Sequence, residues 1–210
     1  MHRTLGSVAA LMLLAGCSVV GIRSGYEGAR YEVVENIGAS VEIRRYEPRL
    51  AAETVVAASD RKAGGNQAFK VLFDYISGAN RAQAEVAMTT PVETSDAEQI
   101  AMTVPVETAA SNGGRYTMRF FLPASYTRVT APEPTDPRVR IIELPGLFVA
   151  ALRFSGSWDD ESLGAREAEL LQALDDSTWQ PASAPSALFY DPPWTLPFLR
   201  RNEVVVPVER

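Results

Sequence analysis

Short apolar-rich segments in the first part of the folded region read as strands over Tyr31 to Asn36, Val41 to Tyr46 and Leu50 to Ala58. Val41 and Ile43 alternate with Glu42 and Arg44, leaving one face for a core. Around Asp60 the period changes. Phe69, Leu72, Phe73 and Ile76 fall at i, i+3, i+4 and i+7, so four large apolar groups share one helical face, and Gly78 is placed to end that helix as a left-handed cap. A further strand is expected over Tyr116 to Leu122. Three prolines between Ala131 and Pro137 mark a connection, and the pattern then recurs. Val139 to Leu144 and Leu147 to Phe154 read as strands. Ser157-Trp158-Asp159-Asp160 reads as a capped helix start, with Leu163, Leu170, Leu171 and Leu174 on one face to about Asp176. Leu188 to Asp191 and Asn202 to Val208 close the chain as strands. Strand-helix-strand-strand thus occurs twice, about one hundred residues apart.

Between the two units the sequence says one thing twice. Ala-Met-Thr-Thr-Pro-Val-Glu-Thr at 87–94 returns as Ala-Met-Thr-Val-Pro-Val-Glu-Thr at 101–108. Thr, Val and Met suit a pleated, half-buried backbone, and Ser95-Asp96-Ala97-Glu98 between the copies reads as a reversal, so the pair is expected to form neighbouring strands. Pro91 and Pro105 lack an N–H for a ladder. Each strand should therefore meet an edge, a bulge or the rim of an opening there.

The N-terminus adds an address. A short charged start, an apolar run from Val8 to Leu14 and then Leu14-Ala15-Gly16-Cys17 resemble a bacterial lipobox, which implies a signal peptide over 1–16 and lipidation of Cys17. The apolar run is too short to span a bilayer as a helix. Residues 17–30, with Gly21, Gly25 and Gly28, read as the lipidated cysteine and a flexible tether to a domain over 31–210. Ser18 in place of Asp after the cysteine implies, by resemblance to Gram-negative sorting, an outer-membrane anchor facing the periplasm.

Composition narrows the chemistry. The 210 residues are 46% hydrophobic and 22% charged, enough to bury a core, and the net charge is -6. Loss of Arg3 with a signal peptide leaves 19 basic against 26 acidic residues, a balance of -7 with no cationic cluster, which argues against nucleic acid. Cys17 is the only cysteine and His2 the only histidine. A processed chain would keep neither for chemistry. That excludes a Ser-His-Asp triad or Cys-His dyad and makes a poor zinc site.

The Met-Thr-x-Pro-Val copies, Tyr75-Ile76-Ser77-Gly78-Ala79-Asn80 and the tail Tyr190-Asp191-Pro192-Pro193-Trp194 with Arg200-Arg201-Asn202-Glu203-Val204 together resemble the SOUL haem-binding protein family, from about Tyr31 to the C-terminus. The resemblance implies an α+β fold: a distorted antiparallel β-barrel from two pseudo-symmetric βαββ-type repeats, flanked by two helices. It also implies a likeness in architecture to the effector-binding domains of some transcription regulators.

Haem needs an apolar slot for its ring and polar or cationic partners for its propionates. Candidates for the slot are Phe69, Leu72, Phe73 and Ile76 on the first helix, with Met88, Met102 and Trp194 as neighbours; Arg61 and Lys62 precede the helix as propionate partners, and Lys70 lies on its polar side. Without a mature histidine, iron ligation would fall to Met88, Met102, Met118, Tyr75 or Tyr190, or be absent. The expected protein is a binding lipoprotein and no enzyme. It takes haem or a related tetrapyrrole without histidine ligation and needs no cofactor to fold. Two alternatives stay open. One is a module for another apolar small molecule, a lipid or a partner protein; the other is an enzyme working through a buried Glu53, Glu93, Glu107 or Glu203. In the tail, Asp191 and Glu203 are placed to pair with Arg200 or Arg201 and clamp the loop that carries Trp194.

Overall fold

The structure, a computed structural model, describes residues 27–96, 114–192 and 194–210. It is α+β, with ten antiparallel strands and two long helices. The chain divides into two compact units, one of residues 46–147 and one of the remainder, and crosses between them after Arg45 and after Leu147.

The unit of residues 46–147 holds β3 (Arg49–Ala58), α1 (Arg61–Ile76), β4 (Val92–Asp96), β5 (Gly114–Phe121) and β6 (Val139–Leu144) in strand order β4-β5-β3-β6. Asp60 starts α1 as its N-cap, its carboxylate accepting from the Ala63 amide at 2.8 Å. The helix buries Ala68, Val71, Leu72, Tyr75 and Ile76 against Ala52, Val56, Tyr116, Met118 and Phe120 of the sheet. Gly64 is the point of closest approach. A Cβ there would stand 2.8 Å from the Tyr116 Cβ, so this helix turn must be glycine to sit so near β5.

The other unit holds β1 (Tyr31–Ile37), β2 (Val41–Tyr46), β7 (Leu147–Phe154), α2 (Asp160–Asp175), β8 (Gln180–Pro181), β9 (Ser186–Phe189) and β10 (Asn202–Glu209). Its order is β1-β2-β7-β10-β9, with β8 also on β10. Asp159 caps α2 through the Ser162 amide at 2.8 Å. Leu163, Leu170 and Leu174 meet Val41, Ile43, Ala150, Leu152, Val204 and Val206. Leu171, expected on the same face, is only partly buried.

Each unit therefore repeats strand, helix, strand, strand, and adds a further strand, β6 beside β3 in one and β2 beside β7 in the other. Closure into a barrel is not seen. Both β1 and β6 have a strand neighbour on one side only, so among the described residues the pairings stay open.

Three local expectations change. Ser95 and Asp96 extend β4 and pair with Thr117 and Tyr116, so the reversal does not begin there. In the first repeat copy only Val92 onward is strand, Pro91 standing just before it after a cis Thr90–Pro91 bond. The second copy, with Met102, Thr103 and Glu107, lies outside the described residues. The last short strand runs over Ser186–Phe189 in place of Leu188 to Asp191.

Candidate functional site: an aromatic flank on the first helix and two arginine-carboxylate clusters

The four-residue stripe expected on α1 divides in two. Leu72 and Ile76 are buried in the core, whereas Phe69 and Phe73 remain 40% and 45% exposed on the flank of the helix. Their rings stack at 5.8 Å and 15°, and Phe69 meets Phe120 edge-on at 5.4 Å. Phe120 lies opposite Val92 of β4, so the aromatic flank faces the β4 side of the sheet. Lys62 precedes Phe69 by seven residues and Phe73 by eleven, which puts it on the same flank at about 10 and 16 Å along the axis. Arg61 opens the helix and is partly buried; Lys70 points away and pairs with Asp74 at 3.1 Å. Met88 packs half-buried against the core of this unit. Trp194 belongs to the other unit and is 65% exposed.

Other ligation candidates are spoken for. Met118 is buried in the core, the Tyr75 hydroxyl donates to the Pro132 carbonyl at 2.9 Å, and the Tyr190 hydroxyl donates to Glu203 at 2.7 Å. Among the described residues no group of three or more acidic, His or Cys side chains stands ready for a metal ion.

The opposite flank of α1 borders a groove of about 530 Å³ lined by Val71, Asp74, Tyr75, Thr135, Asp136 and Arg138. Its walls are tied by a two-pronged Arg138–Asp136 pair, Nε to Oδ1 at 3.0 Å and Nη2 to Oδ2 at 2.6 Å. An apolar ring would find charged walls there. The Tyr75-to-Asn80 motif turns out to build this corner. Gly78 takes φ +106°, and buried Asn80 donates to the Tyr75 and Ala84 carbonyls and accepts from the Ala84 amide.

Charge is concentrated on the sheet faces turned away from the helices. Across β4, β5, β3 and β6 a row runs Glu93, Arg119, Glu53, Arg140: Arg119 binds Glu53 at 2.8 Å and Glu93 at 3.3 Å, and Arg140 binds Glu53 at 2.6 Å. In the other unit Glu203 is the centre. Its Oε2 accepts from Arg44 Nη1 and the Tyr190 hydroxyl, both at 2.7 Å, and its Oε1 accepts from Arg201 Nη2 at 2.6 Å and Arg44 Nη2 at 3.2 Å. Burial raises the proton affinity of this carboxyl, but the hydrogen bonds and charge of Arg44 and the charge of Arg201 outweigh it and hold its pKa below the ordinary value. Each guanidinium also lies over a ring, Arg44 on Tyr31 at 4.4 Å and Arg201 on Tyr190 at 4.1 Å.

Arg44 was the residue that alternation concealed. Its position reads as solvent-facing, yet it is 2% exposed. The tail motif is likewise an anchor: Asp191 accepts from the Arg201 amide at 2.7 Å, and Arg200 donates to the Thr195 carbonyl at 2.8 Å while lying over Trp158 at 4.3 Å. Glu53, Glu93 and Glu203, the described carboxylates weighed as acid or base, are all engaged by arginine.

The family model described as SOUL heme-binding protein matches residues 26–207. No curated protein matches the chain by sequence. Among solved structures, the C-terminal domain of EcmrR is similar at TM-score 0.58 and 11% identity, over 86% of this chain and 98% of that one. An uncharacterised conserved protein from Listeria innocua is similar at TM-score 0.59 and 12% identity, and a protein from Listeria innocua described as a hydrolase at 0.55 and 10%; each match covers 81% of this chain and 92% of the other. At such identities these likenesses show the fold alone. The match over most of its length shows that the chain belongs to the SOUL heme-binding protein family.

Proposed function

We propose that this protein is an envelope lipoprotein that binds haem or a related tetrapyrrole on the exposed flank of α1. The observation that carries the reading is the Phe69–Phe73 pair: two large rings stacked on one another and left open on a helix whose sheet-facing side is packed, in a chain of a haem-binding family. A flat apolar ring lying on this pair would remove both from water. At roughly 25 cal/mol per Å2 of apolar surface, burial of that kind supplies affinity without iron ligation. Leu72 and Ile76 serve from beneath, fixing the helix on the sheet, and Met88 borders the same core. Lys62, on the same flank, and Arg61 beside it would receive the propionates. Haem, when bound, would bring its iron chemistry; the residues of this flank offer contact surface and charge, so the reading is carriage or sensing and not catalysis.

Lipidation of Cys17 after removal of residues 1–16 would hold the domain at the membrane, with the outer membrane facing the periplasm as the expected address. Met102, which lies outside the described residues, belongs to the same reading as a further wall.

The test separates ring from propionates. Hemin binding, followed at the Soret band, should weaken several-fold in the Arg61→Ala/Lys62→Ala double variant, while a porphyrin dimethyl ester should bind both proteins alike. Equal hemin affinity in the two proteins would remove the cationic role. Unsaturable uptake of any apolar dye in place of one-to-one binding would favour the alternative module for other apolar molecules.

A further inference from the structure

The loop between β9 and β10 keeps three large apolar side chains in water: Trp194, Leu196 and Phe198 are 65%, 42% and 70% exposed. Burial of even one such side chain is favourable, so an ordered loop that displays three at alternate positions needs a reason. The loop is ordered by its own bonds. The Thr195 amide donates to the Pro192 carbonyl at 3.0 Å, the Leu199 amide to Leu196 at 2.9 Å, and the Gly156 amide to Pro197 at 2.9 Å. Buried Thr195, between the exposed side chains, offers its carbonyl to Arg200. The side chains are therefore held out by a braced backbone.

The place where β1 begins says what they meet. β1 begins at Tyr31, and the Tyr31 ring lies under Arg44, in the cluster that anchors this very loop. Thirteen residues, Ser18 to Arg30, separate Cys17 from Tyr31. A flexible chain of that length has a root-mean-square span of about 20 Å, and fully extended it reaches no more than about 50 Å. We propose that the 194–198 loop is a membrane-interfacial wedge: with Cys17 acylated, as in the reading above on which this rests, Trp194, Leu196 and Phe198 enter the headgroup and upper acyl region of the same leaflet. Tryptophan and phenylalanine are the side chains suited to that boundary. A single attachment by a flexible tether would leave the domain free to tumble; the loop supplies a second contact and sets which face of the domain is turned away from the lipid.

The full chain is produced in a bacterial host and reconstituted in phosphatidylethanolamine–phosphatidylglycerol vesicles with brominated acyl chains. Trp194 emission is taken as the difference between the wild type and Trp194→Phe. The proposal expects brominated lipid to quench it several-fold more strongly than it quenches the Trp158 and Trp179 emission left in that variant. Leu196→Asp/Phe198→Asp, both at exposed positions, should abolish the effect with unchanged circular dichroism. Trp194 emission that ignores brominated lipid overturns the proposal. So does protection of Trp194 in a doubled-mass particle without lipid, which would assign the loop to a second copy. The mass of the N-terminal peptide reports acylation of Cys17 separately, so failure of the anchor and failure of the wedge are distinguishable.

Discussion

Arg44 on β2 and Glu203 on β10 lie 159 residues apart in sequence and meet through two hydrogen bonds, with side chains 2% and 0% exposed. A fully buried ion pair is tolerated only when every lone pair and proton is used, and here Arg201 and Tyr190 complete the set. Glu203→Gln should therefore destabilise the fold by about 3 kcal/mol at neutral pH, because it leaves two arginines facing an uncharged amide. Chemical denaturation of wild type and variant measures it.

The same carboxyl gives an acid signature. Its folded pKa lies below the ordinary 4.5, so its contribution is complete above that value and is lost as pH falls through the lowered folded value. Wild-type stability should drop over that acid range. The Glu203→Gln curve should be flatter there.

Tyr75 gives the opposite limb. Burial, with the nearby Tyr126 as a lesser cause, pushes its hydroxyl up to about 12 from an ordinary 10. A raised acid contributes stability that is complete below pH 10 and fades between 10 and 12. Tyr75→Phe should cost about 1 kcal/mol at neutral pH, by orphaning the Pro132 carbonyl, and should blunt the alkaline loss.

Gly64 tests the seat of α1. Alanine favours a helix by about 1 kcal/mol over glycine, but the added methyl would press on the Tyr116 Cβ, and overpacking of that kind costs about 1–3 kcal/mol. Gly64→Ala should be destabilising on balance, whereas Gly65→Ala, whose Cβ meets only ordinary contacts, should be neutral or stabilising. Thermal melts of the two variants decide.

Much of the fold was legible because single-faced strands and amphipathic helices write a period. β2, β6 and β7 begin and end where the apolar pattern places them, and both helices start at an aspartate whose side chain caps them. β8 escaped because two residues, Gln180 and Pro181, carry no period. The reversal expected at Ser95-Asp96 failed because pairing with β5 outweighs the turn preference of those residues. On α1, spacing grouped Phe69 and Phe73 with Leu72 and Ile76, but the buried arc is filled by Ala68, Val71 and Tyr75, which turns both phenylalanines to the flank. The Arg44–Glu203 pair was illegible for a different reason. A charge at an alternating position reads as solvated, and nothing local records that both faces of β2 and β10 are covered.

Binding of a tetrapyrrole ring by the aromatic flank of α1 stands or falls on one titration. Hemin titrated into residues 18–210, wild type beside Phe73→Asp, tests it most directly. Saturable one-to-one binding at the Soret band is expected, weakened at least about tenfold, or some 1.4 kcal/mol, by the aspartate, with the fold retained because Phe73 lies outside the buried core. Equal affinity in the two proteins would contradict it.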